Sequence, residues 1–177
     1  MARVTSSDLR SAIDSVLQTL HGISDLYPNQ YSLLVKLLDS NNIFFTDSTN
    51  SGKTLPAIIF PDIVKELSKA GYVYPANPKL LFVTALNSLQ LSLVNNTRAL
   101  GLKCEAVTTE NIDRVMKSDT ALLFISPEVL KQPTVTQILL HYRSSFVLKV
   151  VDECHLGNHL DFYLSKSDLN IMACLTL

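Results

Sequence analysis

The residues from Thr46 to Thr54 read TDSTNSGKT, a small and polar run between an apolar stretch and a segment with helical spacing. Its last three residues, Gly52-Lys53-Thr54, form the end of a Walker A phosphate loop. The chemistry depends on that order. Backbone N–H groups of Asn50, Ser51 and Gly52, placed at the start of a helix, would point at phosphate oxygens, and the positive end of the helix dipole would add attraction. Lys53 is expected to reach the terminal phosphates and Thr54 to hold a magnesium ion. Asp47 stands where the full pattern has glycine, and its carboxylate would repel a triphosphate. Asn50 is the kind of residue that best tolerates a left-handed backbone without being glycine, so the loop can keep its shape.

A second reactive cluster lies about a hundred residues further on. Val150-Val151-Asp152-Glu153-Cys154-His155 closes an apolar run, the place of a Walker B motif. Asp152 is expected to hold magnesium through water and Glu153 to orient and activate the attacking water, so that Lys53, Asp152 and Glu153 make the catalytic set. His155 would couple this site to moving parts. Cys154, His155 and His159 also lie close together, but no second cysteine pair or HExxH pattern accompanies them, which argues against zinc.

These clusters need elements to position them. Leu9, Ile13, Val16, Leu17 and Leu20 share one helical face, with Ser6 or Ser7 as the expected cap. A second helix is expected from near Asn29, carrying Tyr31, Leu34, Leu37 and Leu38. Strands then alternate with helices. Apolar runs at Ile43–Thr46, Leu80–Thr84, Cys104–Val107, Leu122–Ile125, Phe146–Val151 and Ile171–Leu175 read as strands. Between them fall helices over Gly52–Ala70, Leu86–Leu100, Thr109–Lys117 and Val135–Tyr142, the first made irregular by Pro56 and Pro61. Continuous apolar strands in this alternation predict an α/β fold with a mostly parallel sheet covered on both faces, preceded by a helical N-terminal segment.

The chain has 177 residues, 47% of them hydrophobic and 18% charged, enough for one domain with a real core. Its formal net charge of −1 gives no overall attraction to a polyanion, so nucleic-acid contact would need a local patch. The basic candidates are Lys79, Arg98, Lys103, Arg114 and Lys117. Three widely spaced cysteines argue against a disulfide framework and for a reducing compartment. The apolar runs fall far short of the ~20 residues of a membrane helix. An intracellular protein without a membrane partner is expected, nuclear if the source is eukaryotic.

Three further segments carry a family resemblance. LHGISDLYPNQ, Leu20 to Gln30, resembles the adenine-recognition segment of RecQ helicases, with Gly22, Leu26, Pro28 and Gln30 in register. LLFVTALNSLQLSL, from Leu80, is similar to the family's next motif through Thr84, Leu86, Ser88 and Leu89, and LLFISPEVL, Leu122 to Leu130, resembles its P-E element through Pro127 and Glu128. With the GKT and DECH motifs in the same order, the chain resembles the first RecA-like domain of a RecQ-type superfamily 2 DNA helicase of the DEAD/DEAH kind.

The resemblance implies a P-loop NTPase fold and ATP with Mg2+ as cofactors. It implies that Gln30 holds the adenine edge, with Tyr27 or Ile23 against the ring, and that Thr84, Ser88, Pro127 and Glu128 belong to the nucleic-acid contacts. The implied partner is DNA, single-stranded or partly duplex, and the implied activity is 3′–5′ unwinding. Residues 1–20 would form an N-terminal helix and residues 21–177 the ATP-binding domain, incomplete near Cys174–Leu177, where the family's next motif begins. A second RecA-like domain with its arginine finger would be needed for a complete motor, so the chain alone is expected not to unwind. Two alternatives remain open at this stage: a degenerate nucleotide- or nucleic-acid-binding module without hydrolysis, and an RNA helicase domain of the DEAD-box kind.

Overall fold

A computed structural model describes residues 3–39, 43–46, 52–84, 87–152 and 172–176. Two helices open it, α1 (Ser6–Leu17) and α2 (Pro28–Leu38), followed by strand β1 (Ile43–Thr46) and helix α3 (Thr54–Lys69). Then come β2 (Lys79–Val83), α4 (Asn87–Ala99), β3 (Cys104–Ala106), α5 (Ile112–Lys117) and β4 (Leu122–Ile125). The short α6 (Pro127–Leu130), α7 (Pro133–His141), β5 (Phe146–Asp152) and β6 (Met172–Thr176) complete the order. No helix among the described residues is long and apolar enough to cross a membrane.

The strands form one six-stranded sheet in the order β1-β6-β5-β2-β4-β3. Every pairing is parallel. Burial on both faces explains why the strands read as unbroken apolar runs: all of β2 and β4, and β5 from Phe146 to Val151, are buried. On one face Leu80, Phe82, Leu122, Phe124, Leu148 and Val150 pack with α1, α2 and α3. On the other, Leu81, Val83, Leu123, Ile125 and Val151 pack with α5 and α7.

The cap of α1 is Thr5, not Ser6 or Ser7. Thr5 is extended (ψ 154°), and its Oγ1 accepts from Asp8 N at 3.1 Å while donating to Asp8 Oδ2 at 2.7 Å. Tyr72, just beyond α3, donates its hydroxyl to the same carboxylate at 2.7 Å. Hydrogen bonds from Thr5 and Tyr72 hold Asp8 below the usual aspartate range. Local sequence offers three adjacent hydroxyls, and the backbone turn together with a tyrosine 64 residues away selects one.

Two other boundaries differ for local reasons. Pro56 and Pro61, expected to make their helix irregular, both lie within the single helix α3. Pro56 lies in the first turn, where an N–H has no intrahelical acceptor to lose. Pro61 sits among Ile59, Phe60, Ile63 and Val64, all buried, so packing outweighs its missing hydrogen bond. Helix α5 starts at Ile112 instead of Thr109 because Thr108 and Asn111 close a turn first. Asn111 Oδ1 accepts from Thr108 N at 2.8 Å, and Asn111 Nδ2 donates to Ala106 O at 2.9 Å.

Candidate functional site: a cleft between the helix α2 entry and the phosphate loop

Gln30 connects the two halves of the cleft. Pro28 at the first position of α2 supplies a preset φ and lacks only an N–H that the helix could not use. Two residues on, Gln30 is buried, its Oε1 accepting from Tyr27 N at 2.9 Å. Its Nε2 donates to Gly52 O at 3.0 Å, across 22 residues of sequence. The segment singled out for adenine and the loop singled out for phosphate are thus held together by one amide side chain.

Gly52 has a φ of +72°, a conformation that disfavours any side chain. A Cβ built there would lie 2.6 Å from Gln30 Nε2. The turn requires glycine, and a Cβ there would also push on the end of the Gln30 side chain. Gly52→Ala should therefore displace the Gln30 amide and strain the turn, costing about 1–2 kcal/mol. Thermal denaturation should show the melting temperature lower by roughly 2–8 °C. An unchanged melting temperature would mean that the Gln30–Gly52 bond carries no weight.

Lys53 and Thr54 follow at the N-terminus of α3, both half-buried. No acidic residue occupies the first turn of this helix, which leaves its positive end uncompensated from within. The loop from Gly22 to Pro28, Gln30, the residues Gly52 to Leu55 and Ile58 enclose a cleft of about 900 Å³. That volume lies in the range of small-molecule sites. Ile23 and Leu26 give it half-buried apolar surface, and Tyr27 stands at its edge with 67% of its surface exposed.

The far wall was not anticipated. Leu93, Asn96, Thr97 and Leu100 of α4 and its C-terminal end line the cleft. Their spacing (i, i+3, i+4, i+7) marks one helical face, the signal that could have identified them. The helix end is secured to the loop by His21 N, which donates to Leu100 O at 3.1 Å.

Asp152 ends β5, half-buried. Side chains alternate along a strand, so Asp152 falls on the face of Leu148 and Val150, the same face that α3 covers. Asp152 and the helix led by Lys53 and Thr54 therefore share one face of the sheet, at the C-terminal ends of its strands. Asn50, Ser51, Glu153 and His155 lie outside the described residues.

The segments expected at nucleic acid behave differently. Thr84 is buried, with 1% exposure, and Pro127 is buried as the first residue of α6, behind the N-cap Ser126. Strand-end packing buries the first and helix initiation the second. Glu128 is exposed. Ser88 belongs to the first turn of α4, and its side chain lies outside the described residues.

All five basic candidates are already engaged. Lys103 pairs with Asp119 at 2.6 Å, Arg114 with Glu105 at 2.7 Å and Lys117 with Asp113 at 2.6 Å. Arg98 donates to Cys104 O at 3.3 Å. Lys79 is buried, its Nζ donating to Ser118 O and Thr120 O at 3.0 and 2.8 Å, and burial pushes its pKa down. At Lys103, Arg114 and Lys117 a phosphate would have to displace a carboxylate.

A six-stranded parallel sheet covered by helices, with Gly52, Lys53 and Thr54 leading into α3 and Asp152 ending β5, is a RecA-like α/β fold. Solved structures agree on the fold. The DUF1998 helicase MrfA bound to DNA is similar with a TM-score of 0.63 and 16% identity over 99% of this chain. The SWI2/SNF2 ATPase core of Sulfolobus solfataricus in complex with double-stranded DNA gives 0.62 and 15% over 86%. The Hef helicase domain of Pyrococcus furiosus gives 0.56 and 22% over 83%. This chain spans 27% of the first and 32% of each of the others. No protein-family model matches the chain. No curated protein matches it by sequence.

Proposed function

We propose that the chain binds ATP with magnesium in the cleft joined by Gln30 and acts as the first RecA-like domain of a RecQ-type DNA helicase. The observation that carries this reading is the Gln30 amide, which accepts from Tyr27 N and donates to Gly52 O. Adenine would lie against Tyr27 and Ile23, within reach of Gln30. Lys53 would hold the terminal phosphates, and Thr54 and Asp152 would hold the ion. The glycine turn at Gly52 and the carboxylate on the α3 side of the sheet fit that group. Magnesium, when bound, neutralises charge on the transferring phosphoryl oxygens. Glu153 would orient the attacking water and His155 would relay the state of the site.

DNA is the proposed partner, engaged together with a second RecA-like domain that supplies an arginine finger, with 3′–5′ unwinding by the assembled motor. The paired state of Lys103, Arg114 and Lys117 favours a second reading, a nucleotide-binding module whose own contact with nucleic acid is weak.

Gln30→Ala tests the adenine assignment. The variant should lose roughly 10-fold in ATP affinity, the worth of a hydrogen bond or two, while GTP binding changes little. Competition of unlabelled ATP and GTP against a fluorescent ATP analogue reads this directly. Equal losses for both bases would remove Gln30 from base recognition. Titration of single-stranded DNA and RNA at two salt concentrations then separates the DNA motor from the weak binder and from an RNA helicase.

A further inference from the structure

Thr84 directly follows β2, and its backbone still joins the sheet, with N donating to Ile125 O at 3.1 Å. Its side chain is 1% exposed, yet Oγ1 has no hydrogen-bond partner among the described residues. Buried hydroxyls in native structures are almost always paired, so an orphan calls for a physical reason. Its place in the sheet suggests one. Leu80 and Phe82 of β2 pack on the α3 side and Leu81 and Val83 on the other, so alternation turns Thr84 toward α3. By the same alternation Asp152 falls on that side of β5. Val83 is in register with Val151, and that register carried one residue further sets Thr84 beside Asp152. On the other flank Ser126 already uses its Oγ to accept from Val129 N at 3.4 Å.

We infer that Thr84 is a positioning residue of the acidic site: its hydroxyl accepts from a water of the hydrated magnesium ion that Asp152 takes up with the nucleotide. The inference rests on the reading of Asp152 as a metal-site carboxylate. A hydroxyl suits the task because it offers acceptor lone pairs with a freely rotating donor. Valine has nearly the same shape and offers neither. Serine keeps the hydroxyl and gives up only a methyl group.

The test uses the whole chain, a fluorescent ATP analogue and a magnesium titration on Thr84→Val, Thr84→Ser and Asp152→Asn, with thermal denaturation of each without ligand. Thr84→Val should fold with an equal or higher melting temperature, since it removes an unpaired buried hydroxyl. It should raise the magnesium concentration needed for analogue binding by roughly 10-fold, the size of one hydrogen bond to a charged group. Its affinity for the analogue without magnesium should not change, and Thr84→Ser should restore the magnesium response. If Thr84→Val keeps the parental magnesium response while Asp152→Asn loses it, the inference falls and the metal-site reading stands. If Asp152→Asn also keeps that response, the metal-site reading falls and takes the inference with it.

Discussion

Replacing Lys53 by alanine is expected to abolish high-affinity binding of a fluorescent ATP analogue in the presence of magnesium, with a loss of roughly 100- to 1000-fold. The size follows from charge. An ammonium about 4 Å from a phosphate oxygen, in a protein-like medium, is worth about 4 kcal/mol before desolvation is subtracted. Lys53 sits at the N-cap of α3, so its side chain leaves the helix at the end where the N–H groups are free. The backbone donors and the helix dipole survive the substitution, which is why some weak phosphate affinity should remain. The fold should survive as well, because α3 is held by Ile59, Phe60, Ile63 and Leu67, all buried. The check is a binding isotherm for parent and variant together with a thermal melt. Equal affinities in two folded proteins would mean that the phosphate loop does not hold phosphate, and the proposed function would lose its basis.

The second large effect concerns stability. Phe82 lies in the middle of β2 with no exposed surface, its ring 5.4 Å from that of Phe124 on the neighbouring β4. Phe82→Ala should cost about 3–5 kcal/mol through lost burial and the cavity left behind. The aromatic pair adds to this cost. Against a total stability on the order of 5–15 kcal/mol, that is roughly a fifth or more of what holds the domain together. The melting temperature should fall by roughly 6–20 °C, measured by calorimetry or circular dichroism. A change below about 1 kcal/mol would show that the sheet face under α3 is not packed as described. Phe82 is also two residues before Thr84 on the same face, so its loss should loosen the strand end that borders the acidic site.

The two motifs could be singled out in the sequence because each is a contiguous run of residues. A phosphate loop is a contiguous turn leading into a helix, and Gly52-Lys53-Thr54 records both the required φ and the charge within three residues. The strands were readable for a similar reason: a parallel strand buried on both faces must be apolar throughout, and Leu122–Ile125 leaves little room for another reading. Gln30 could be singled out by resemblance, but not its bond to Gly52 O. That contact exists only because α2 and α3 pack together.

Pairs of residues distant in sequence separate the legible from the illegible. Lys117 and Asp113 are four apart on one helix, so their ion pair could have been expected from spacing. Arg114 with Glu105, and Lys103 with Asp119, meet only after β3, α5 and β4 have assembled. Read singly, each of those cations looks available to a phosphate, and the fold supplies the carboxylate that neutralises it.

The amino-acid sequence by itself determined the α/β alternation, the strand interiors and the order of the phosphate and acidic motifs, because periodicity, glycine geometry and buried apolar runs are properties of neighbouring residues. Tertiary structure alone decided that α4 walls the cleft, that the basic candidates are engaged, and that Thr84 is buried at the end of β2. Those outcomes depend on which surfaces come to cover one another, and covering is a relation between segments that no single segment encodes.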